Sequence, residues 1–301
     1  MAHGEPLSTR VGSVVLRAPV MTASGTAGHG AELAAYGALA ELGAVVVKSL
    51  AAFAWPGNPG PRVHGLPGGS MLNSVGLQGP GVESWRAHDL PRLAASGATV
   101  VASIWGHSPE EYAAAAGALV GAPEVTALEV NVSCPNLEGH LLAGSPSATA
   151  EAVEAAAAAG LPRWAKLSPN VPDIVELAAA ALDAGAEALT LVNTLFGMRL
   201  GTGEERTPLS GGLSGPALHP VAVRAVFECR RAFPGAGIVG VGGVASGADA
   251  LELLMAGADA VQVGTATFAD PRAPWKIQDE LAAWCSHHAT TVREVVGAAL
   301  R

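Results

Sequence analysis

IVELAAAALDAGAEALTLVNT, from Ile174 to Thr194, holds the reading on which the fold turns. It opens as an Ala/Leu-rich helical stretch, stops at Gly185-Ala186, and ends in a short, continuously apolar run capped by Asn193 and Thr194. Continuous rather than alternating apolar character is what a strand covered on both faces requires. The same unit appears as ELAAYGALAELGAVVVKS from Glu32 to Ser49 and as ALELLMAGADAVQVGT from Ala250 to Thr265. Gly43, Gly185 and Gly257 stand where a helix C-cap calls for a left-handed residue, a conformation that glycine adopts without a Cβ clash.

Working outward, apolar runs of this kind fall at 18–24, 44–49, 99–104, 127–133, 163–168, 187–193, 237–243 and 260–265. Helical stretches separate them, one opened by the capping-box pattern Ser108-Pro-Glu-Glu111 with proline at the first helical position. Eight alternating β and α units over about 250 residues is the arithmetic of a (β/α)8 TIM barrel. An open doubly wound sheet is the rival. No linker or composition break interrupts 1–301, so one domain is expected. STRVGSVVLRAPV, from Ser8 to Val20, reads as an N-terminal hairpin closing the barrel floor. Two connections, Ser133 to about Ser147 and Thr194 to about Gly215, are longer than a barrel needs. Both follow strand C-terminal ends, so they read as lids over the mouth.

Composition narrows the function. Of 301 residues half are hydrophobic and only 14% charged, which excludes a disordered chain. The net charge of −9 argues against a general nucleic-acid or anionic-membrane footprint. No run reaches the length of a membrane span and no secretory signal is visible near Met1, so a cytoplasmic protein is expected. Cys134, Cys229 and Cys285 lie far apart, with no CxxC or Cys/His cluster, so neither a zinc site nor an iron–sulfur cluster is expected from this chain.

Barrel active sites form where strands end. Here those positions carry Ser24, Lys48, Ser103, Asn131, Lys166, Asn193, Thr194, Gly242, Gly243, Gly264 and Thr265. Two lysines at strand ends imply a bound anion or an electron-rich ring, because burying an unanswered ammonium is costly. The glycines of the last two strands suit the usual phosphate site of this barrel. Gly240-x-Gly242-x-x-Ala245 also fits the loose dinucleotide fingerprint, but Asp259 precedes the next strand instead of closing it. In Asn131-Val132-Ser133-Cys134-Pro135-Asn136, a cysteine just past a strand end stands between two asparagines, the position of a nucleophile or a base. No histidine is obviously placed to pair with it, which argues against Cys/His hydrolysis; His140, on the same loop, reads as a surface residue. Cys229 and Cys285, in helical context, read as buried hydrophobes.

Taken in order, APVMTASGT at 18–26, MLNSVGLQGPG at 71–81, NVSCPN at 131–136, KLSPN at 166–170, VNTLFGMR at 192–199, GGLSGPA at 211–217 and VGTATFADP at 263–271 resemble the class 1 dihydroorotate dehydrogenases. Cysteine rather than serine at 134 points to class 1, and SGTAGHG with LNSVGLQGPG is closer to its NAD-linked type. The resemblance implies FMN-dependent oxidation of dihydroorotate to orotate in pyrimidine (UMP) biosynthesis. It implies an FMN phosphate on Gly215, Gly242, Gly243, Gly264 and Thr265, with Ser24, Lys48, Ser49, Ser103, Asn131, Lys166 and Val192 around the rest of the cofactor. Orotate would contact Lys48, Asn73, Ser74, Val75, Gly76, Leu77, Asn131, Asn136, Asn193 and Thr194. Cys134 would be the general base, Lys166 would face flavin N1 and C2=O, and Lys48 would meet the substrate carboxylate. ASIWG at 102–106 departs from the family pattern, with Ser103 in place of a flavin-contacting asparagine and Trp105 in place of a small residue. A homodimer and a second subunit carrying FAD and an iron–sulfur cluster are further family expectations. The competing readings are a related FMN barrel acting on another dihydropyrimidine, and a barrel that binds a phosphate ligand without redox chemistry.

Overall fold

The computed structural model describes residues 7–133, 144–200 and 208–301. The chain begins with an antiparallel hairpin of β1 (Thr9–Val11) and β2 (Val14–Leu16), turned at Gly12. β3 (Val20–Thr22) and β4 (Val45–Val46) open the barrel. β5 (Val63–Gly65) and β6 (Met71–Asn73) leave it to lie in a separate sheet. After α1 (Val82–His88) and α2 (Leu90–Ala95), β7 (Val100–Ile104), α3 (Pro109–Gly117) and β8 (Val125–Asn131) resume the β/α alternation. α4 (Pro146–Ala155), β9 (Arg163–Leu167), α5 (Ile174–Asp183) and β10 (Ala188–Leu191) continue it. β11 (Leu195–Leu200) and β12 (Pro208–Ser214) pair antiparallel and join β6, giving a four-stranded sheet in the order β11-β12-β6-β5. Then follow α6 (His219–Ala232), β13 (Gly237–Val241), α7 (Gly247–Ala256), β14 (Ala260–Val263), α8 (Ala266–Ala269) and α9 (Ala273–His287).

The eight parallel strands run β3-β14-β13-β10-β9-β8-β7-β4, and a bridge between Met21 and Ala44 joins the two ends. The sheet is therefore a closed (β/α)8 barrel, and all eight apolar runs supply its strands. No helix among the described residues is long and apolar enough to cross a membrane.

Side chains alternate along each strand, so the barrel interior is built in layers. The lowest layer is apolar: Met21, Val46, Val101, Ala127, Trp164, Ala188, Val239 and Ala260 pack against Val11, Val14 and Leu16 of the hairpin. The hairpin thus closes the floor, as its sequence suggests. Two residues higher stand Ser103, Glu129, Lys166, Thr190 and Gln262, all buried. Higher again come Asn131, Ser168, Val192, Gly243 and Gly264, which face a cavity.

Four local expectations need correction. The stretch after Glu32 forms no α-helix, only 3-10 turns at Glu32–Ala35 and Leu39–Glu41. Gly37 lies against the Trp275 indole and the Ala38 carbonyl accepts from Trp275 Nε1 (3.0 Å), so that carbonyl serves tertiary packing. Gly43 is no left-handed cap, although Gly185 and Gly257 do have positive φ. It is required because a Cβ there would collide with the Ala18 carbonyl oxygen. The 194–215 connection is largely the β11–β12 pair rather than irregular loop. In α3, Ser108 accepts from the Glu111 amide (3.4 Å), but the Glu111 carboxylate takes the His107 amide (2.7 Å) and ring (2.9 Å), so the reciprocal half of the box is shifted by one residue.

Gly43→Ala should destabilise the protein by about 1–3 kcal/mol, the usual cost of forcing atoms into a filled space. Gly117→Ala, at the end of α3 with open space around its Cα, should be neutral or stabilising by up to about 1 kcal/mol. Urea unfolding midpoints check both, and equal midpoints for the two variants would contradict the close approach at Gly43.

Candidate active site

A cavity of about 520 Å³ opens at the C-terminal ends of the barrel strands, beneath the four-stranded sheet. That volume lies within the range of small-molecule and cofactor sites. The barrel contributes Ser24, Lys48, Ser49, Asn131, Lys166 and Val192 to its wall. Gly215, Gly242, Gly243, Gly264 and Thr265 line it as well. From above come Asn73, Ser74, Val75, Gly76 and Leu77, with Asn193 and Thr194 at the start of the β11 side. Leu77 has φ 60°, a left-handed conformation unusual for a branched side chain and of the kind that collects at ligand sites. Residues separated by up to 241 positions in sequence thus meet around one space because each follows a strand end or a sheet over the mouth.

A hydrogen-bonded row fixes the polar wall. Asn193 Nδ2 donates to Asn131 Oδ1 (3.2 Å), and Asn131 Nδ2 donates to Ser49 Oγ (3.2 Å). Ser49 Oγ bonds Ser24 Oγ (3.2 Å) and Ser103 Oγ (2.8 Å). The Asn131 carbonyl accepts from Tyr112 OH (2.7 Å), which ties the end of β8 to α3. Ser103 does not line the cavity: it is fully buried behind Ser49. Its short side chain ends at the Ser49 hydroxyl, so its reach is to a wall residue. Trp105 packs edge-on among Phe53, Trp55 and His107, beside the cavity instead of in it.

Asn170 is a lining residue that sequence reasoning passed over. Its Nδ2 donates to Ser168 Oγ (2.9 Å) and to the Thr194 carbonyl (2.9 Å), and its Oδ1 accepts from the Phe196 amide (2.7 Å). It fastens the first residues of β11 to the barrel. The polar end of the KLSPN motif was the available signal.

The two lysines are held differently. Lys166 Nζ donates to Glu129 Oε1 (3.3 Å) and Gln262 Oε1 (3.5 Å), and Gln262 Nε2 donates to Glu129 Oε2 (2.6 Å). Such a pair, enclosed on every side but the cavity, is costly to break from one side, about 3–5 kcal/mol. Lys48 has no carboxylate of the described residues within ion-pair distance. Burial pushes its ammonium below the usual lysine range, and the Arg62 guanidinium pushes it the same way. Arg62 is held by the Asn58 carbonyl (3.1 Å) and Gln78 Oε1 (2.5 Å). His29, beside Lys48, is pushed down by burial and then by Lys48 itself. A bound anion would relieve this uncompensated positive charge.

At the other end of the cavity the wall is bare backbone. Gly243 has φ 70°, and a Cβ there would come within 2.6 Å of His219 Cβ and 2.9 Å of the Gly215 carbonyl oxygen. At Gly212 a Cβ would run into the Thr194 hydroxyl. Thr265 Oγ1 donates to Ser214 Oγ (2.8 Å) and closes this end. Bare backbone at one end, two ammonium groups and a row of amides and hydroxyls along the wall form a donor set that suits the phosphate, ribityl chain and ring of FMN. Cys134, Asn136 and His140 lie outside the described residues. Cys229 and Cys285 are buried in helices, and burial pushes the Cys229 thiol up to about 12, so neither offers a thiolate near neutral pH.

Residues 6–284 match the dihydroorotate dehydrogenase family model. Similar proteins named dihydroorotate dehydrogenase B (NAD(+)), catalytic subunit, occur in Pelobacter propionicus (45% identical over 97% of this chain and 98% of that one) and Trichlorobacter lovleyi (44%, 97% and 98%). Another of that name, from Geobacter sulfurreducens, is 43% identical over 97% of both chains.

The state of Lys48 gives a pH dependence. A ligand carboxylate paired with Lys48 would need the protonated ammonium, so its affinity would be full below the Lys48 pKa and lost as pH rises through it. Because that pKa is lowered, the loss should begin below the ordinary lysine value. Calorimetric titration with orotate from pH 7 to 10.5 should show binding weakening in the alkaline range. Lys48→Ala should weaken binding at pH 7 about 10- to 100-fold, as for a lost charged hydrogen bond, and should remove the alkaline limb. An alkaline limb retained in the variant would contradict the assignment.

Proposed function

The chain belongs to the dihydroorotate dehydrogenase family, FMN-dependent oxidoreductases of pyrimidine biosynthesis, and from that premise we propose how its residues divide the work and what it assembles with. The observation that carries the reading is convergence. Lys48, Lys166, Asn131 and Asn193 meet around one cavity whose far end is glycine backbone.

FMN, when bound, supplies the acceptor for the hydride that leaves C6 of dihydroorotate. The backbone at Gly215, Gly242, Gly243, Gly264 and Thr265 would hold its phosphate, and Ser24, Ser49 and Val192 would hold the chain and ring. Lys166 would present a fixed cation from the cavity floor to that ring. In a site from which water is excluded, such a charge is worth several kcal/mol to an anionic partner. Lys48 pairs with the substrate carboxylate. Asn73, Asn131, Asn136, Asn193 and Thr194 hydrogen-bond the substrate ring, and Ser74, Val75, Gly76 and Leu77 close over it. Fixing both rings against each other removes orientational freedom that would otherwise slow the reaction.

Cys134 takes the proton from C5 as general base. What supports this role is the motif Asn131-Val132-Ser133-Cys134-Pro135-Asn136 and its start at the end of β8. The barrel carries no second redox centre in its sequence pattern, and the relatives are named catalytic subunits. The finer reading is therefore an NAD-linked enzyme in which a partner subunit with FAD and an iron–sulfur cluster carries electrons onward, with the barrel itself a homodimer. Co-expression with such a subunit should confer NAD reduction that the barrel alone lacks.

The purified protein should be yellow with FMN absorbance, and dihydroorotate, not dihydrouracil, should bleach it under anaerobic conditions. Cys134→Ala should keep the colour and orotate binding while slowing bleaching by about 10²- to 10⁴-fold, the range for a lost general base. Cys134→Ser should retain part of the rate with its pH optimum moved upward, because a hydroxyl yields its proton less readily than a thiol. Stopped-flow measurement on FMN-loaded variants decides it: a wild-type rate at every pH removes Cys134 from the mechanism.

A further inference from the structure

Glu129 and Gln262 are both fully buried in the barrel interior, one layer beneath the cavity. Neither lines it. Each hydrogen-bonding group they turn toward Lys166 is used within a closed triangle: Glu129 Oε1 and Gln262 Oε1 each accept from Lys166 Nζ, and Glu129 Oε2 accepts from Gln262 Nε2. The three residues come from β8, β9 and β14, so the triangle spans the barrel and does not follow from local sequence. An ammonium has three N–H donors. Two are taken from below, and the third is left for the cavity that Lys166 lines.

The pair also has an electrostatic consequence. Without Glu129, Lys166 would present a whole positive charge to the ring above it. With Glu129 at 3.3 Å on the side away from the cavity, the ring meets the positive end of a neutral pair. At the effective dielectric of protein sites, a unit charge a few ångströms further away still contributes appreciably. The carboxylate therefore offsets part of the pull that the lysine exerts on an anionic, reduced ring.

We propose that Glu129 and Gln262 are positioning residues that aim the Lys166 ammonium into the cavity, and that the Glu129 charge sets how far the site favours reduced over oxidised FMN. The proposal rests on the FMN reading above. A merely structural triangle would affect stability and leave the flavin equilibrium where it was.

The test is the midpoint potential of bound FMN, read spectrally against reference dyes, together with FMN retention on ultrafiltration. Glu129→Gln should shift the reduced-over-oxidised equilibrium about tenfold toward reduced, about 30 mV upward for a two-electron couple. The exchange Glu129→Gln with Gln262→Glu keeps one carboxylate in the triangle and should return the equilibrium to within about threefold of wild type. Gln262→Glu alone, followed from pH 6 to 10, should move it toward oxidised as the added carboxylate ionises. If Glu129→Gln does not fold, that pH profile carries the test. An FMN-loaded Glu129→Gln variant with an unshifted potential, or a Gln262→Glu profile superimposable on wild type, would overturn the proposal and leave the FMN reading intact. A wild-type chain that takes up no FMN would overturn both.

Discussion

The barrel buries a lysine, and much of its interior is arranged around that fact. Lys166 is only 6% exposed, yet it reaches the cavity. An isolated ammonium there would be expelled or neutralised, since desolvation of a lone ion costs several kcal/mol. Glu129 and Gln262 make its burial tolerable. They can do so only if β8, β9 and β14 are in the right register, because a one-residue slip turns every inward side chain outward. Register follows from the layers below: Trp164, two residues before Lys166, fills the apolar floor among small neighbours such as Ala127, Ala188 and Ala260. Apolar packing at the floor thereby fixes where the charged layer lies, and the charged layer fixes the floor of the cavity.

Lys48 represents the opposite solution. It stands at a strand end with Arg62 for an electrostatic neighbour and no described carboxylate, and burial lowers its pKa. The two lysines thus differ in what faces them: Lys166 meets a carboxylate, whereas the charge felt by Lys48 is the Arg62 guanidinium.

The barrel was legible in the sequence because strands covered on both faces show as unbroken apolar runs, and every run but 99–104 ended on residues that line the cavity. The segment after Glu32 misled because Ala and Leu favour helices wherever they occur, whereas the contact of Gly37 and Ala38 with Trp275 comes from the far end of the chain. Glu129 was invisible for a related reason. In ALEVNVS it looks like a single acid in an apolar run, and only closure of the barrel brings Lys166 and Gln262 to it. Ser103 stood at the expected strand end, but one side chain too deep, behind Ser49. The β11–β12 pair was hidden because LFGMRL is largely exposed, and β12 also pairs with β6, more than a hundred residues earlier.

The sheet over the mouth raises a last physical question, since of its four strands only β6 is largely buried. Packing alone cannot hold such a sheet in one place. It is instead stitched to the barrel by hydrogen bonds at separate points. Asn170 grips the Thr194 carbonyl and the Phe196 amide, and Thr265 grips Ser214. Within the sheet, Asn73 reaches the Gly212 carbonyl (3.3 Å) across the β6–β12 pairing. Each of these side chains lies on the cavity wall. The groups that would touch a substrate from above are therefore placed by the same polar contacts that anchor their sheet, while the groups beneath are placed by barrel strands. Thr194 shows the arrangement most directly: it lies on the cavity wall, and Asn170 holds its carbonyl and the Phe196 amide to the barrel.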